Sequence, residues 1–125
     1  MSKYVLDSSL IINIILGKRD KAVDILKQGL TANLVYYEVG NFLWRIKKEE
    51  LADYLVKLLR LIETEDVGLN AEVLRLALSE RLTYYDAVYL YLSKTHNLPL
   101  VSDDKELIKK GAVGSSGSSL PLGGG

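Results

Sequence analysis

The 125-residue chain is long enough to bury a hydrophobic core and short enough to form one domain. It carries 16 basic and 16 acidic residues, so its zero net charge gives no sign of nucleic-acid binding from composition alone. Cysteine is absent and His96 is the only histidine, which excludes disulfides and Cys- or His-rich zinc sites and leaves oxygen ligands for any metal.

The N-terminal part of the chain predicts a strand followed by two helices. Lys3–Leu6 is predicted to form a short buried strand, and the apolar spacing after it predicts a helix that ends near Gly17. Asp20 is predicted to cap a second helix, with Leu30 on its apolar face. Leu34–Tyr36 is predicted to form a brief second strand.

Two helical patterns occupy the middle of the chain. The first runs from Tyr37 to about Lys48, and within it Glu38, Asn41 and Arg45 share one stripe of the helix surface. The second is a strongly apolar helix over Glu49–Ile62.

The next part of the chain predicts a strand and two capped helices. Val67 with Leu69 indicates a short third strand, and Asn70 is predicted to cap the helix after it. Thr83 is predicted to begin another helix that continues to about Thr95. The side chains expected to be buried in the first of these helices are Val73, Leu74, Ala77 and Leu78.

The C-terminal part predicts a last strand, a short helix and a tail. Pro99–Ser102 is predicted as the fourth strand, and the helix after it ends at Gly111. Ala112–Val113 is a weakly indicated final strand. The domain is therefore expected to span residues 1–113, and residues 114–125 form a flexible Gly/Ser-rich tail that we expect to be partly of non-native origin.

Strands alternating with helices predict an α/β fold. We expect three layers, with a central, mostly parallel sheet of four to five strands and helices on both faces. The sequence has no apolar stretch long enough to span a membrane. The start at Met1–Tyr4 lacks the anatomy of a signal peptide, so a cytoplasmic location is expected.

Four carboxylates stand where apolar runs give way to helical patterns: Asp7, Glu38, Asp86 and Asp104. Functional groups collect at the carboxyl ends of parallel strands, so these acids are expected to converge. Converging carboxylates repel one another unless a cation neutralises them. The sequence therefore predicts a site for Mg²⁺ or Mn²⁺, which can activate a water for hydrolysis.

Each acid also has a purely structural interpretation. Asp7 can cap the first helix, and Thr83–Asp86 resembles a capping box. Of Asp103 and Asp104, one can cap the last helix while the other faces the acidic cluster, and sequence geometry does not choose between them. A phospho-acceptor function for Asp7 is a rival, although Ser9 stands where a second aspartate would be expected.

Several neutral residues are expected to support the acids. Ser8 can help to cap the first helix, and Asn41 can orient Glu38 or reach a metal-bound water. Ser102 is predicted to hold a ligand by a hydrogen bond, with Asp103 beside it. Tyr89 and Tyr91 are expected to serve packing or an interface rather than base stacking, and His96 is expected at the surface near a helix end.

At the level of motifs, the chain resembles PIN-domain ribonucleases, and in particular the VapC-like toxins of prokaryotic toxin–antitoxin pairs. The four matching segments are Tyr4–Ser9, Tyr37–Asn41, Thr83–Ala87 and Leu100–Leu107. The resemblance implies a PIN topology and a Mg²⁺- or Mn²⁺-dependent endoribonuclease. It implies an acidic cluster of Asp7, Glu38, Asp86 and Asp104, in which Asp104 is favoured because it stands two positions after Ser102.

The resemblance also implies partners. These are an RNA substrate, a cognate antitoxin protein that inhibits the enzyme, and a second copy of the chain in a homodimer. The glycine-rich tail and the neutral net charge depart from the family pattern. Cations that could face RNA are Lys18, Arg19, Arg45, Lys48, Arg81 and Lys105. The rival interpretation is a PIN-like protein-binding module that has lost catalysis.

Overall fold

The computed structural model describes residues 1–17 and 22–114. Its strands are β1 (Tyr4–Leu6), β2 (Gly29–Ala32), β3 (Glu63–Glu65) and β4 (Leu100–Val101). Its helices are α1 (Ser8–Ile15), α2 (Ala22–Lys27), α3 (Leu34–Ile46), α4 (Ala52–Leu59), α5 (Ala71–Glu80), α6 (Tyr84–His96) and α7 (Lys105–Lys109), with a 3-10 turn at Glu49–Leu51 before α4.

The strands form one parallel sheet in the order β3-β2-β1-β4. Beyond β4, Val113 makes a single parallel bridge to Val101, so the weakly indicated final strand is present only as one bridge. Because all strands point the same way, the segments that follow them emerge at one edge of the sheet. The predicted α/β class and parallel sheet are confirmed.

Each face of the sheet packs against its own hydrophobic core, because successive side chains of a strand point to opposite faces. In β1, Tyr4 and Leu6 join the core formed with α1, α2, α3 and α4, whereas Val5 joins the core formed with α5, α6 and α7. The central strand is therefore completely buried, and the three predicted layers are confirmed.

The predicted position of the second strand is wrong. Leu34–Tyr36 lies in the first turn of α3, and β2 lies immediately before it. Leu30, expected on a helix, is a residue of β2. The strand contains Gly29 and the polar Thr31 rather than an apolar alternation. It is buried between β1 and β3, where the Thr31 hydroxyl donates a hydrogen bond to the Leu6 carbonyl at 2.7 Å. Tertiary burial thus overrides local propensity.

The predicted position of the third strand is also wrong. The strand is Glu63–Glu65, and Val67 and Leu69 lie in the loop after it, with Leu69 92% exposed. β3 is an edge strand whose side chains are largely exposed, so it lacks an apolar signature and carries charges, as edge strands commonly do.

Helix limits are better predicted than helix burial. Asn70 and Thr83 cap α5 and α6 through their side-chain oxygens as expected. In contrast, Leu74 and Leu78 are exposed, because only a narrow stripe of α5 packs against the core. The apolar segment Glu49–Ile62 is divided into the 3-10 turn and α4.

Two predicted features lie outside the described residues. They are the helix cap Asp20 and residues 115–125 of the tail. None of the helices in residues 1–17 and 22–114 combines the length and apolar character that crossing a membrane requires.

A close approach between β1 and β2 makes Gly29 a sensitive position. A Cβ at residue 29 would overlap the Leu6 Cδ1 atom and lie 2.9 Å from Leu6 Cγ, and Leu6 is completely buried. We expect Gly29→Ala to lower the free energy of unfolding by ~1–3 kcal/mol through overpacking. Urea unfolding would measure the change.

Gly40 provides the matched control for this prediction. It lies on α3, and a Cβ added there would meet no atom within 4 Å, so alanine fits. Gly40→Ala should raise the free energy of unfolding by ~0.5–1 kcal/mol, because glycine destabilises a helix interior. Equal effects of the two substitutions would contradict the overlap with Leu6.

Candidate active site

Asp7 stands at the end of the central strand and begins α1. Its carboxylate caps the helix, since Oδ1 accepts a hydrogen bond from the Leu10 amide at 3.1 Å. The residue is nevertheless buried, with 3% exposure. Burial, with a smaller contribution from the negative charge of Asp104, raises the pKa of Asp7 to about 6 despite the lowering effect of its hydrogen bonds. The capping interpretation is confirmed, but capping does not require burial.

Two serine hydroxyls hold the Asp7 carboxylate in place. Ser102 donates to Asp7 Oδ2 at 2.6 Å, and Ser9 Oγ lies 2.8 Å from Oδ1 and 3.0 Å from Oδ2. The two serine oxygens are 3.3 Å apart. Ser102 comes from the end of β4 and Ser9 from the first turn of α1. The end of β1 is thus joined to the end of its neighbour β4 by side-chain hydrogen bonds.

The paired aspartates after β4 have different partners. Asp104 caps α7, since its Oδ1 accepts from the amides of Glu106 and Leu107 at 2.8 and 3.2 Å. Asp103 accepts a short hydrogen bond from the Asn13 side chain. The sequence does not choose between Asp103 and Asp104 as the cap of the last helix, and in the structure the cap is Asp104.

The backbone of these two aspartates is fixed by the same serines. The amide of Asp103 donates to Ser9 Oγ and that of Asp104 donates to Ser102 Oγ, both at 2.9 Å. The predicted support by Ser102 is therefore present, and each serine links the Asp7 carboxylate to the loop that presents Asp104.

Glu38 does not follow a strand as predicted, because it lies in the second turn of α3. The buried Tyr89 of α6 donates its hydroxyl proton to Glu38 Oε1 at 2.6 Å. Burial and the negative charge of Glu38 raise the pKa of Tyr89 well above its usual value, so the phenol remains a donor. The Ser8 hydroxyl also hydrogen-bonds to Tyr89, which places Ser8 beside Glu38.

Asp86 lies in the first turn of α6, and its amide donates to Thr83 Oγ1 at 3.1 Å, as in a capping box. Partial burial, together with the negative charges of Asp104 and Glu38, raises the pKa of Asp86 to about 6. The negative charge of Asp104 also raises the pKa of Asp7. The four predicted acids therefore lie close enough together for their charges to interact.

In the part of the chain that the structure describes, the acidic side chains are too far apart to bind one metal ion together. Within residues 1–17 and 22–114, no three acidic or histidine side chains lie close enough together to hold one ion. The hydrogen bonds described above explain this spacing, because Glu38 is turned toward Tyr89 and Asp104 toward its helix cap. The donor chemistry, carboxylate oxygens without thiolates, still fits a hard divalent cation.

A groove of about 550 Å³ lies beside Glu38, between α1, α3 and α6. We call it the acidic groove. Asn41 and Arg45 line it together with Glu38, as their shared helical stripe predicts, and Ser8 and Ser9 line its α1 side. Among the predicted RNA-facing cations, Arg45 lines this groove together with Glu38. Lys18 and Arg19 lie outside the described residues.

Comparison with known proteins places this arrangement in a family. The model of the PIN domain matches residues 4–113. The chain belongs to the PIN-domain family. Exonuclease VapC9 of Pyrobaculum aerophilum is 33% identical over 115 residues, which cover 86% of this chain and 85% of VapC9. Ribonuclease VapC3 of the same organism is 31% identical over 101 residues, covering 73% of this chain and 77% of VapC3. The predicted membership of the VapC-like PIN domains is confirmed.

Solved structures agree with this PIN-domain assignment. The crystal structure of PAE2754 from Pyrobaculum aerophilum has 30% identity and a TM-score of 0.80, covering 90% of each chain. A toxin–antitoxin complex from Klebsiella pneumoniae has 20% identity and a TM-score of 0.65, covering 84% of this chain and 90% of that one, and at that identity it shows the fold alone.

Sequence reasoning misses two site residues of this PIN domain. From the sequence, Ser9 is only the residue that stands in place of a second aspartate, and Tyr89 is only a packing residue. Helical spacing could have indicated both: Ser9 lies in the first turn after Asp7, and Tyr89 follows Asp86 by three residues on the same helix. Their hydrogen bonds to Asp7 and Glu38 become visible only in the fold.

The raised pKa of Asp7 predicts how stability depends on pH without divalent metal. A folded-state pKa of about 6 against 3.8 means that the folded state binds the proton more tightly, so the contribution of Asp7 to stability is fully present below pH ~4 and is lost as the pH rises through 6. We expect ionisation of Asp7 to lower the free energy of unfolding by roughly 2–4 kcal/mol.

Urea unfolding in EDTA at a series of pH values would measure this effect. Asp7→Asn removes the titrating group, so the variant should gain stability relative to the wild type between pH ~4 and pH ~7. Asp53→Asn, on the exposed side of α4, controls for loss of one negative charge. Parallel pH profiles for the wild type and Asp7→Asn would contradict the prediction.

Proposed function

We propose that this PIN-domain protein is a divalent-metal-dependent ribonuclease and the toxin of a toxin–antitoxin pair. The observation that carries the proposal is the buried carboxylate of Asp7, held by Ser9 and Ser102, with the negative charge of Asp104 acting on both Asp7 and Asp86. A buried carboxylate whose hydrogen bonds offset only part of its lost hydration destabilises a fold, and it is expected where a cation or a reaction requires it. The nuclease names of the two VapC relatives support the same activity.

The residues proposed to hold Mg²⁺ or Mn²⁺ are Asp7, Glu38, Asp86 and Asp104. A bound divalent cation would lower the pKa of water and neutralise charge that develops on the phosphate. Ser102 and Ser9 orient Asp7 through hydrogen bonds that leave its negative charge intact. Tyr89 orients Glu38 in the same way, and Ser8 lies beside that pair.

The acidic groove is proposed to hold the sugar–phosphate backbone. Arg45 supplies a fixed positive charge on the groove wall, and Asn41 supplies an amide that can donate to a phosphate oxygen. A chain with zero net charge attracts RNA weakly at long range, so binding depends on such local contacts and on the cation.

The VapC-like family resemblance supports two protein partners. One is a cognate antitoxin that inhibits the nuclease, and the other is a second copy of this chain in a homodimer. We expect the toxin to act in the cytoplasm, because that is where its RNA substrate would be found.

A protein-binding module without catalysis is the second candidate function. The spacing of the acids favours this module, because no three of them lie close enough together to hold one metal ion within the described parts of the chain. Calorimetric titration with Mn²⁺ separates the two candidates. We expect saturable binding by the wild type and a loss of about tenfold or more in affinity for Asp7→Asn. Absence of any binding heat for the wild type, with Asp53→Asn behaving in the same way, would favour the module.

The nuclease proposal predicts cleavage of single-stranded RNA in Mn²⁺ that EDTA abolishes. Asp7→Asn should remove the activity, and Ser102→Ala should lower it by ~10–100-fold, because it removes only a supporting hydrogen bond. Gel analysis of an end-labelled oligonucleotide measures both. Asp53→Asn is the matched control and should cleave like the wild type; cleavage that persists in Asp7→Asn would contradict the assignment.

A circular substrate decides the mode of cleavage. One VapC relative is named an exonuclease and the other a ribonuclease, whereas the family resemblance implies an endonuclease. We expect circular single-stranded RNA to be opened at a rate similar to that for the linear form. A circle that survives while the linear form is degraded from its ends would overturn the endonuclease part of the proposal alone.

A further inference from the structure

Two helices of this PIN domain carry the same kind of triplet near their N-terminal ends. Tyr36-Tyr37-Glu38 lies in α3 and Tyr84-Tyr85-Asp86 in α6. In each triplet the second tyrosine is exposed, Tyr37 by 77% and Tyr85 by 58%. Tyrosine has a large apolar ring that is usually covered by a partner, so two exposed rings next to two site acids indicate a binding surface.

The exposed tyrosines separate the acidic groove from a second hollow. Leu34, Tyr37 and Tyr85 line both cavities. The second hollow has a volume of about 340 Å³ and lies over the carboxyl ends of β2 and β3, where Ala32 and Asp66–Gly68 form its floor and side. We call it the tyrosine hollow. The two cavities are neighbours along the edge of the sheet at which ligands bind in parallel α/β folds.

Hydrogen bonds fix the wall of the tyrosine hollow. The Tyr84 hydroxyl donates to the Gly68 carbonyl at 2.6 Å and accepts from the Asn70 amide at 2.8 Å. The loop after β3 is therefore attached to the first turn of α6, and Tyr84 itself lines the hollow. A cavity held in this way loses little conformational entropy when a ligand enters it.

The rim of the hollow offers groups that suit the edge of a nucleobase. Asn33 lies at the N-cap position of α3 but makes no capping hydrogen bond with its side chain, so its amide can serve a ligand. Asp66 is exposed and lines the same rim. An amide can pair with a base edge through both a donor and an acceptor, and a carboxylate accepts from an exocyclic amine.

We propose that the tyrosine hollow binds one base of a single-stranded RNA substrate, stacked on Tyr85, while the adjoining phosphate enters the acidic groove. The inference rests on the proposed nuclease function and deepens it, because it assigns a base-binding subsite to the same edge of the sheet. Stacking on an aromatic ring is tolerant of sequence, and the amide and carboxylate at the rim favour bases that carry an exocyclic amine over uracil.

The test measures binding of a labelled single-stranded oligoribonucleotide by fluorescence anisotropy in the Asp7→Asn background, which prevents cleavage. Tyr85→Leu keeps an apolar side chain but removes the ring, and it should weaken binding by about 5- to 100-fold. Tyr85→Phe keeps the ring and should bind within about twofold of the parent. Because Tyr85 is more than half exposed, neither change should unfold the protein, and circular dichroism checks this.

Tyr54→Leu is the matched control. Tyr54 is 55% exposed on α4 and lines neither cavity, so its replacement should leave binding unchanged. An oligonucleotide that lacks one base at the subsite should bind the parent weakly and should be insensitive to Tyr85→Leu. Equal losses with Tyr54→Leu, or equal binding by Tyr85→Leu and the parent, would overturn the subsite.

The two proposals fail in different ways. If the wild type cleaves RNA but Tyr85→Leu binds and cleaves normally, the base subsite is wrong and the nuclease proposal stands. If binding depends on the Tyr85 ring but the wild type cleaves no RNA, the nuclease proposal is wrong and base binding stands. If Tyr85→Leu instead changes the mass measured by light scattering and leaves RNA affinity intact, the hollow contacts a second copy of the chain and the subsite is overturned.

Discussion

The constraint on which the site depends is the burial of one carboxylate at the end of the central strand. Asp7 loses hydration because the end of β4 and the first turn of α1 lie against it. Hydrogen bonds from Ser102, Ser9 and the Leu10 amide offset part of that loss, yet burial dominates and the pKa remains raised. A carboxylate in this state favours binding of either a proton or a cation.

The hydrogen bonds that hold Asp7 also position the rest of the site. Ser102 reaches Asp7 across 95 positions of sequence, and the same oxygen accepts the amide of Asp104. Any change in the orientation of Asp7 therefore moves the loop that presents a second acid. On the other side, Tyr89 joins α6 to Glu38 on α3. These acids are held by residues from other elements, so the geometry of the site depends on correct packing of the three layers.

Much of this arrangement could be predicted from the sequence, and the failures have physical causes. Helix caps such as Asn70 and Thr83 are local, and the sequence predicts them correctly. The motifs carried by the acids predict the family. The positions of β2 and β3 are wrong because neither strand has the apolar alternation of an isolated strand. β2 is stabilised by burial within the sheet, and β3 is an edge strand that retains charged residues.

The candidate site residues likewise include some that the sequence predicts and some that only the fold identifies. Acids are predicted from residue type and position, whereas the roles of Ser9 and Tyr89 depend on partners that only the fold identifies. Serine and tyrosine are common in helices for ordinary reasons, and no local pattern distinguishes those that hold a carboxylate. The spacing of the acids is likewise a property of side-chain rotamers that the sequence does not specify.

The composition of β3 has a consequence for how copies of this chain can assemble. Glu63 receives a hydrogen bond from Ser2, and Glu65 lies 2.8 Å from His96, so charged and hydrogen-bonded side chains flank the outer strand. At the opposite border, Val113 already occupies part of the position beside β4. Extension of the sheet from one molecule into the next is therefore disfavoured at both borders, which favours helical surfaces for self-association.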